Sequence, residues 1–467
     1  MLEFIRLKKQ QKLKGENDKG KYQNLPPGTM GIPILGETIS FLIHKAEFFR
    51  QKRKNYGPVF KTHLFGKPTI RVSGRENIRK IIFGENRIVQ SSYPASVKML
   101  VGTNSLSMST GTQHRDRKRQ LMKFLSVEFL EMHVMCFSEL VQETLRYWSS
   151  QSSVEIYAEC RYLFMELAAK FLVSVDLSKN EKKVMKKHYQ DFSDNLFTLP
   201  INLPGFGFNK ALNAKRTLKK MFKTIVKNGE KSVNQFPSVL EAYGATLEDQ
   251  KDIDDEFLDA IVELLWNSSE TISSAAFSIV YLLATHPVVM TKLKLELSEN
   301  GYILEDLNNN VSDTKQTSFK GVQELPYTEA VVKETLRLMP PIGGAYRKVL
   351  ETFEIEGYTI PKEWTVVFGI RETHEHDENL LDPMNFNPDR WIGNNDASKI
   401  GYFPFGGGAR GCPGKNFANT VLRIFTVELC RNLNWDLLEQ NPELLYFPTP
   451  RPKNNLHVRF YDKSAIF

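Results

Sequence analysis

Near its C-terminus the chain reads FPFGGGARGCPGK, Phe403 to Lys415, with five glycines in the nine residues from Gly406 to Gly414. Glycine loses more conformational freedom on folding than any other residue and brings no side chain to a core. So dense a run implies that something bulky lies against the backbone. One cysteine, Cys412, sits inside it, and the apolar spacing from Asn416 to Asn432 predicts a helix directly afterwards. The loop therefore presents Cys412 just before a helix N-terminus, where the helix dipole and backbone N–H groups lower a thiol's pKa.

Such a sulfur is a nucleophile or a metal ligand. A nucleophile wants a histidine base, and the local sequence offers none. The chain's four cysteines, Cys136, Cys160, Cys412 and Cys430, form no CxxC pair. That argues against a cysteine-rich zinc site and a disulfide framework, and fits a reducing compartment. One axial sulfur suffices when the metal arrives inside a flat macrocycle that supplies four nitrogens, as in haem. Glycines then admit the flat face, Arg410 is placed to neutralise a propionate, and Phe405 to shield the sulfur.

The rest of the chain is consistent with a large packed body. Of 467 residues, 41% are hydrophobic and 25% charged, so a sizeable core is expected. The net charge of +8 is scattered, with no basic–aromatic repeat, which argues against nucleic acid and leaves a membrane surface or an acidic protein as partners. Residues 1–24 read as a basic flexible leader without membrane anchor, since no run approaches the ~18 apolar residues of a span; residues 25–467 read as one large domain. Val59 to Gly74 alternates like a hairpin broken at Gly66–Pro68. Helical spacing runs from Arg115 to Trp148, Leu163 to Ser174, Asn209 to Glu230, Asp252 to Ala284 and Pro326 to Met339. Residues 298–320 read as a surface loop, and Tyr346 to Ile370 has strand character. The fold class expected is mainly α with small β-sheets.

Phe405, Gly408, Arg410, Cys412 and Gly414 match, position by position, the haem-binding signature Phe-x-x-Gly-x-Arg-x-Cys-x-Gly. In this the chain resembles the cytochromes P450. Two more motifs agree. KETLRL carries Glu334 and Arg337, and FNPDRW carries Arg390; the resemblance implies that these form a buried three-way salt bridge behind the haem loop. WNSSET holds Glu270 and Thr271 where the family has an acid–alcohol pair that relays protons to bound dioxygen. Asn267, Ser268 and Ile272 depart from the family pattern there, which has a small glycine in this helix.

Further segments, in order, are similar to the retinoic acid hydroxylases of cytochrome P450 family 26: LPPGTMGIPILGET, FKTHLFGKPTIRV, YPASVKMLVG, NLFTLPINLPG, PPIGGAYRKVLETFEIEGYTIPKEW and KNFANTVLRIFTVEL, spanning roughly Leu25 to Phe460. The resemblance implies an apolar, aromatic pocket for all-trans-retinoic acid, with Tyr93, Phe197, Trp266 and Tyr346 at its aromatic positions; of these only Phe197 keeps the family's own residue. It makes Arg87 a cation for the substrate carboxylate. It assigns His114, Lys118, Arg347 and Arg410 to the propionates of haem b (iron protoporphyrin IX).

The resemblance implies a haem-thiolate monooxygenase served by NADPH–cytochrome P450 reductase at the cytoplasmic face of the endoplasmic reticulum membrane. The basic run Arg115 to Arg119 reads either as propionate partners or as a face for an acidic redox partner. Three alternatives stay open: a sterol or other lipid hydroxylase, a haem-thiolate isomerase that needs no dioxygen, and a non-catalytic haem protein that binds retinoid.

Overall fold

A computed structural model describes residues 24–33, 35–103, 105–227, 255–303, 315–393 and 400–462. The expected leader lies outside these residues but for Asn24, and so does much of the expected surface loop 298–320. By its contacts the chain divides into two compact units, one built from the chain up to Ser92 with Gly344–Thr373, the other from Tyr93–Gly343 and from His374 onward.

The first unit is organised by a five-stranded sheet. Its strands are β1 (Val59–Leu64), β2 (Lys67–Val72), β3 (Val89–Ser91), β4 (Gly344–Val349) and β5 (Thr365–Gly369), in the order β1-β2-β5-β4-β3. Phe65 and Gly66, both at positive φ, make the tight turn between β1 and β2, as a two-residue hairpin loop requires. β2 runs parallel to β5 with Thr69 opposite Thr365, and the other pairings are antiparallel.

The second unit is helical. Its main helices are α1 (Ala95–Val101), α2 (Gly111–Phe124), α3 (Val127–Ser150), α4 (Ile156–Leu167), α5 (Lys179–Asp194), α6 (Gly207–Lys227), α7 (Asp255–Thr285), α8 (Pro287–Glu299), α9 (Pro326–Leu338) and α10 (Lys415–Asn432). The single helical run expected from Arg115 to Trp148 is broken at Leu125–Ser126, because the Ser126 hydroxyl accepts the Phe129 N–H at 3.3 Å and starts a new helix. α5 opens on a capping box between Ser178 and Glu181, an S-x-x-E signature legible in the sequence.

α7 is the axis of this unit. From Ala260 to Val280 every residue is buried except Trp266, Asn267, Ser268 and Thr271. Helices apolar on nearly every face are core helices, and α7 packs along α4 while α10 packs along α3. Pro287, at the first position of α8, ends the run, and the chain bends there by 107°. A three-stranded antiparallel sheet of Val154–Glu155, Leu433–Leu437 and His457–Asp462 completes the unit. Among the described residues no single helix is long and apolar enough to cross a membrane.

Candidate active site

The cysteine loop folds as a tight cradle. Gly406 and Gly408 take φ of +64° and +59°, the left-handed region that side chains disfavour. A side chain at Gly406 would meet nothing within 4 Å, so the backbone there faces open space. The Cys412 N–H donates back to the Phe405 carbonyl at 3.0 Å, closing the loop. Phe405 packs against the core of the second unit. Lys118 of α2 ties the loop down, its ammonium donating to the carbonyls of Ala409 (3.0 Å) and Gly411 (2.6 Å).

Cys412 counts as exposed, yet protein surrounds the thiol closely enough that burial raises its pKa, against the pull of the Gly414 N–H and the Lys118 charge. Among the described residues no group of three His, Cys, Asp or Glu side chains could hold a metal ion. A lone accessible cysteine beside side-chain-free backbone fits a flat, self-liganded cofactor, and it does not fit a bare ion.

Arg410 does not stand alone. Its two terminal nitrogens donate to the carbonyls of Ser109 (2.8 Å) and Ser107 (2.6 Å). The N–H groups of Leu106 and Ser107 donate in turn to the carboxylate of Glu263 on α7, each at 2.7 Å. One turn on, the Asn267 amide donates to the Ser107 hydroxyl at 3.2 Å. The segment 105–109 is thus clamped between α7 and the cysteine loop. Glu263 is buried, which pushes its pKa up despite these donors. Sequence reasoning missed Glu263, because a carboxylate in an apolar helix carries no local sign of its partners.

The acid and alcohol of α7 point different ways. Glu270 is buried, and it accepts from Tyr157 (2.8 Å), Ser193 (2.9 Å), Tyr189 and Thr449 (both 3.4 Å), with the Arg161 guanidinium at 3.2 Å. Burial opposes its ionisation, but Arg161, Tyr157 and Ser193 hold its carboxyl below the usual range. Thr271 lies on the accessible strip, its hydroxyl donating to the Asn267 carbonyl at 2.9 Å. No hydrogen bond joins the two side chains.

Glu334, Arg337 and Arg390 come together as the resemblance implied. Arg337 grips Glu334 with two hydrogen bonds of 2.8 and 2.9 Å, and Arg390 adds one at 2.9 Å. Trp391 and the Asn387 N–H fill the remaining acceptor sites at 2.8 and 3.0 Å. Burial works against the Glu334 charge, yet these partners keep its carboxyl below the ordinary range. His374 extends the network: its Nδ1 is 2.9 Å from the Arg337 carbonyl, and its Nε2 accepts the Phe403 N–H at 2.9 Å. This buried imidazole therefore joins α9 to the opening of the cysteine loop.

The remaining candidates are spread out. His114 is buried in the first turn of α2. Tyr93, Phe197 and Trp266 are partly buried against the core of the second unit, with Phe197 edge-on to Phe447. Arg87, Tyr346 and Arg347 belong to the first unit. Burial pushes the Tyr346 hydroxyl up to about 12. Arg347 is ion-paired with Glu85 at 2.9 Å and donates to the Tyr346 carbonyl. Its charge is already answered by a carboxylate, so it fits least among the four suggested propionate partners.

The cytochrome P450 family model matches residues 26–458, across both units. The chain belongs to the cytochrome P450 family. It is 35% identical to cytochrome P450 26A1 of Xenopus laevis, over 94% of this chain and 91% of that one. It is 34% identical to human cytochrome P450 26B1, over 95% and 88%. Among solved structures it resembles a retinoic acid-bound cyanobacterial CYP120A1, with a TM-score of 0.84 and 29% identity, covering 94% of this chain and 99% of the other. The chain therefore has the cytochrome P450 fold and is a haem-dependent monooxygenase, a class that takes a lipophilic substrate, dioxygen and electrons from a redox partner.

Proposed function

We propose that this cytochrome P450 hydroxylates all-trans-retinoic acid, with haem b held by Cys412 and electrons from NADPH–cytochrome P450 reductase at the endoplasmic reticulum membrane. The observation that carries the reading is the exposed Cys412 in a loop matched residue by residue to the family signature, in a chain whose relatives are family 26 enzymes and whose structural neighbour binds retinoic acid. Residues 25–467 form the haem domain in this reading. Haem bound there supplies the redox and dioxygen chemistry.

The chain's own groups do the rest. Phe405, Gly408 and Gly414 shape the cradle, and Arg410, Lys118 and His114 are the residues that would hold the haem propionates. The Thr271 hydroxyl, its hydrogen turned to the Asn267 carbonyl, accepts and passes on a proton through water, while Glu270 holds its negative charge in place behind it. Tyr93, Phe197 and Trp266, all packed against the core of the second unit, stack on the polyene. Arg115 and Arg119, both exposed, offer positive charge to the reductase.

Two measurements test this. Reduced, haem-loaded protein exposed to carbon monoxide should show the long-wavelength absorption band of sulfur ligation, and Cys412→Ala should lose it. With reductase, NADPH and retinoic acid, the protein should form a product heavier by one oxygen atom. Tight binding without product points instead to a retinoid-sequestering protein. Hydroperoxide rearrangement without reductase points to an isomerase.

A further inference from the structure

The four residues of α7 left accessible between Ala260 and Val280, Trp266, Asn267, Ser268 and Thr271, have a use beyond the proton relay. Three of them, Asn267, Ser268 and Thr271, present oxygen atoms whose neighbouring hydrogens are already used. The Asn267 amide donates to the Ser107 hydroxyl at 3.2 Å and to Glu263 at 3.4 Å. That orients the side chain and leaves its Oδ1 with no donor among the described residues. The Ser268 hydroxyl donates to the Leu264 carbonyl at 2.6 Å, and Thr271 to the Asn267 carbonyl at 2.9 Å. Apart from the Trp266 indole N–H, the strip is therefore rich in acceptors and poor in donors. Ser107 links it to the cysteine loop, its hydroxyl accepting from Asn267 and its carbonyl from Arg410.

We propose that this strip recognises a hydroxyl group on the substrate, so that the preferred ligand is a retinoid already hydroxylated on its ring rather than the unmodified acid. The inference rests on the retinoid reading of the site. A purely hydrocarbon ring laid on these oxygens strips them of water and returns nothing. A ring O–H restores one hydrogen bond, and Asn267 Oδ1 is held ready to take it. Sites built to bind a hydroxyl discriminate against ligands that lack it. In a reaction sequence, a hydroxylation of the retinoid ring must then precede this enzyme's preferred step.

The test is a binding measurement. Haem-loaded protein is titrated with all-trans-retinoic acid and with the same acid carrying a ring hydroxyl, and dissociation constants are read from the shift of haem absorption. The unaltered protein should bind the hydroxylated acid about tenfold more tightly, as one net hydrogen bond allows. Asn267→Ala should bring the two affinities together while the carbon monoxide band stays unchanged. Equal affinities in the unaltered protein overturn this inference and leave retinoid binding standing. If neither acid binds to protein that shows the sulfur-ligated band, the retinoid reading itself fails.

Discussion

His374 illustrates how much one buried side chain can hold. Burial lowers its pKa to about 4, against the opposing pull of the Arg337 carbonyl, while Asp377 and Glu334 favour and Arg337 disfavours its protonation. At neutral pH the ring is neutral, with Nδ1–H turned to Arg337 and Nε2 taking the Phe403 N–H. Below pH 6.5 the unfolded chain binds a proton here that the folded chain refuses, so stability falls as pH drops towards 4. With a pKa difference of about 2.5 units, the full loss is about 3 kcal/mol. Denaturant titrations of unaltered protein and His374→Gln between pH 7 and pH 4 should show this component only in the unaltered protein; parallel curves would refute it. His374 was not legible in the sequence, since neither period nor motif marks it. Cys412 was, because its four matched neighbours, Phe405, Gly408, Arg410 and Gly414, fix both the loop and the ligand.

At the scale of elements, the strongest device is the clamp on residues 105–109. Two N–H groups end on Glu263 of α7, and two carbonyls end on Arg410 of the cysteine loop. Glu263→Ala would leave both part-buried N–H groups without this partner, a loss of about 2–4 kcal/mol. Glu263→Gln keeps one acceptor and should lose less. Chemical denaturation reads both, and haem retention in Glu263→Ala should fall with them, because the Arg410 partners lose their support. α7 itself was readable from its long apolar run and its stop at His286–Pro287. Its clamp was not, because the partners of Glu263 lie more than 150 positions away and become neighbours only when the helix packs. The break at Ser126 was missed for the opposite reason: a local cap overrode a helical period that runs across it.

At the scale of the whole molecule, the Glu334 network binds distant stretches of sequence into one support for the site. It joins α9 to the segment from Leu381 to Trp391 through Arg337 and Arg390, whose remaining nitrogens donate to the carbonyls of Pro383, Asn385, Leu381 and Asp382. Through His374 it reaches Phe403, nine residues before Cys412. The sequence could place the three charged residues only by resemblance, since an acid and a base at i, i+3 are common on exposed helices and worth little there. Burial changes their weight. A complete buried network is close to neutral in net stability, but removing one member strands the others without compensation, at about 3–5 kcal/mol. Glu334→Ala leaves two guanidinium groups and the Trp391 N–H facing a void, so it should collapse both folding yield and haem content. Arg390→Lys keeps the charge but loses the bonds to the carbonyls, and should lower stability less while leaving the carbon monoxide band in place. Should Glu334→Ala instead accumulate as haem-bound protein with an unshifted unfolding midpoint, the site would be held by the cysteine loop and its clamp alone.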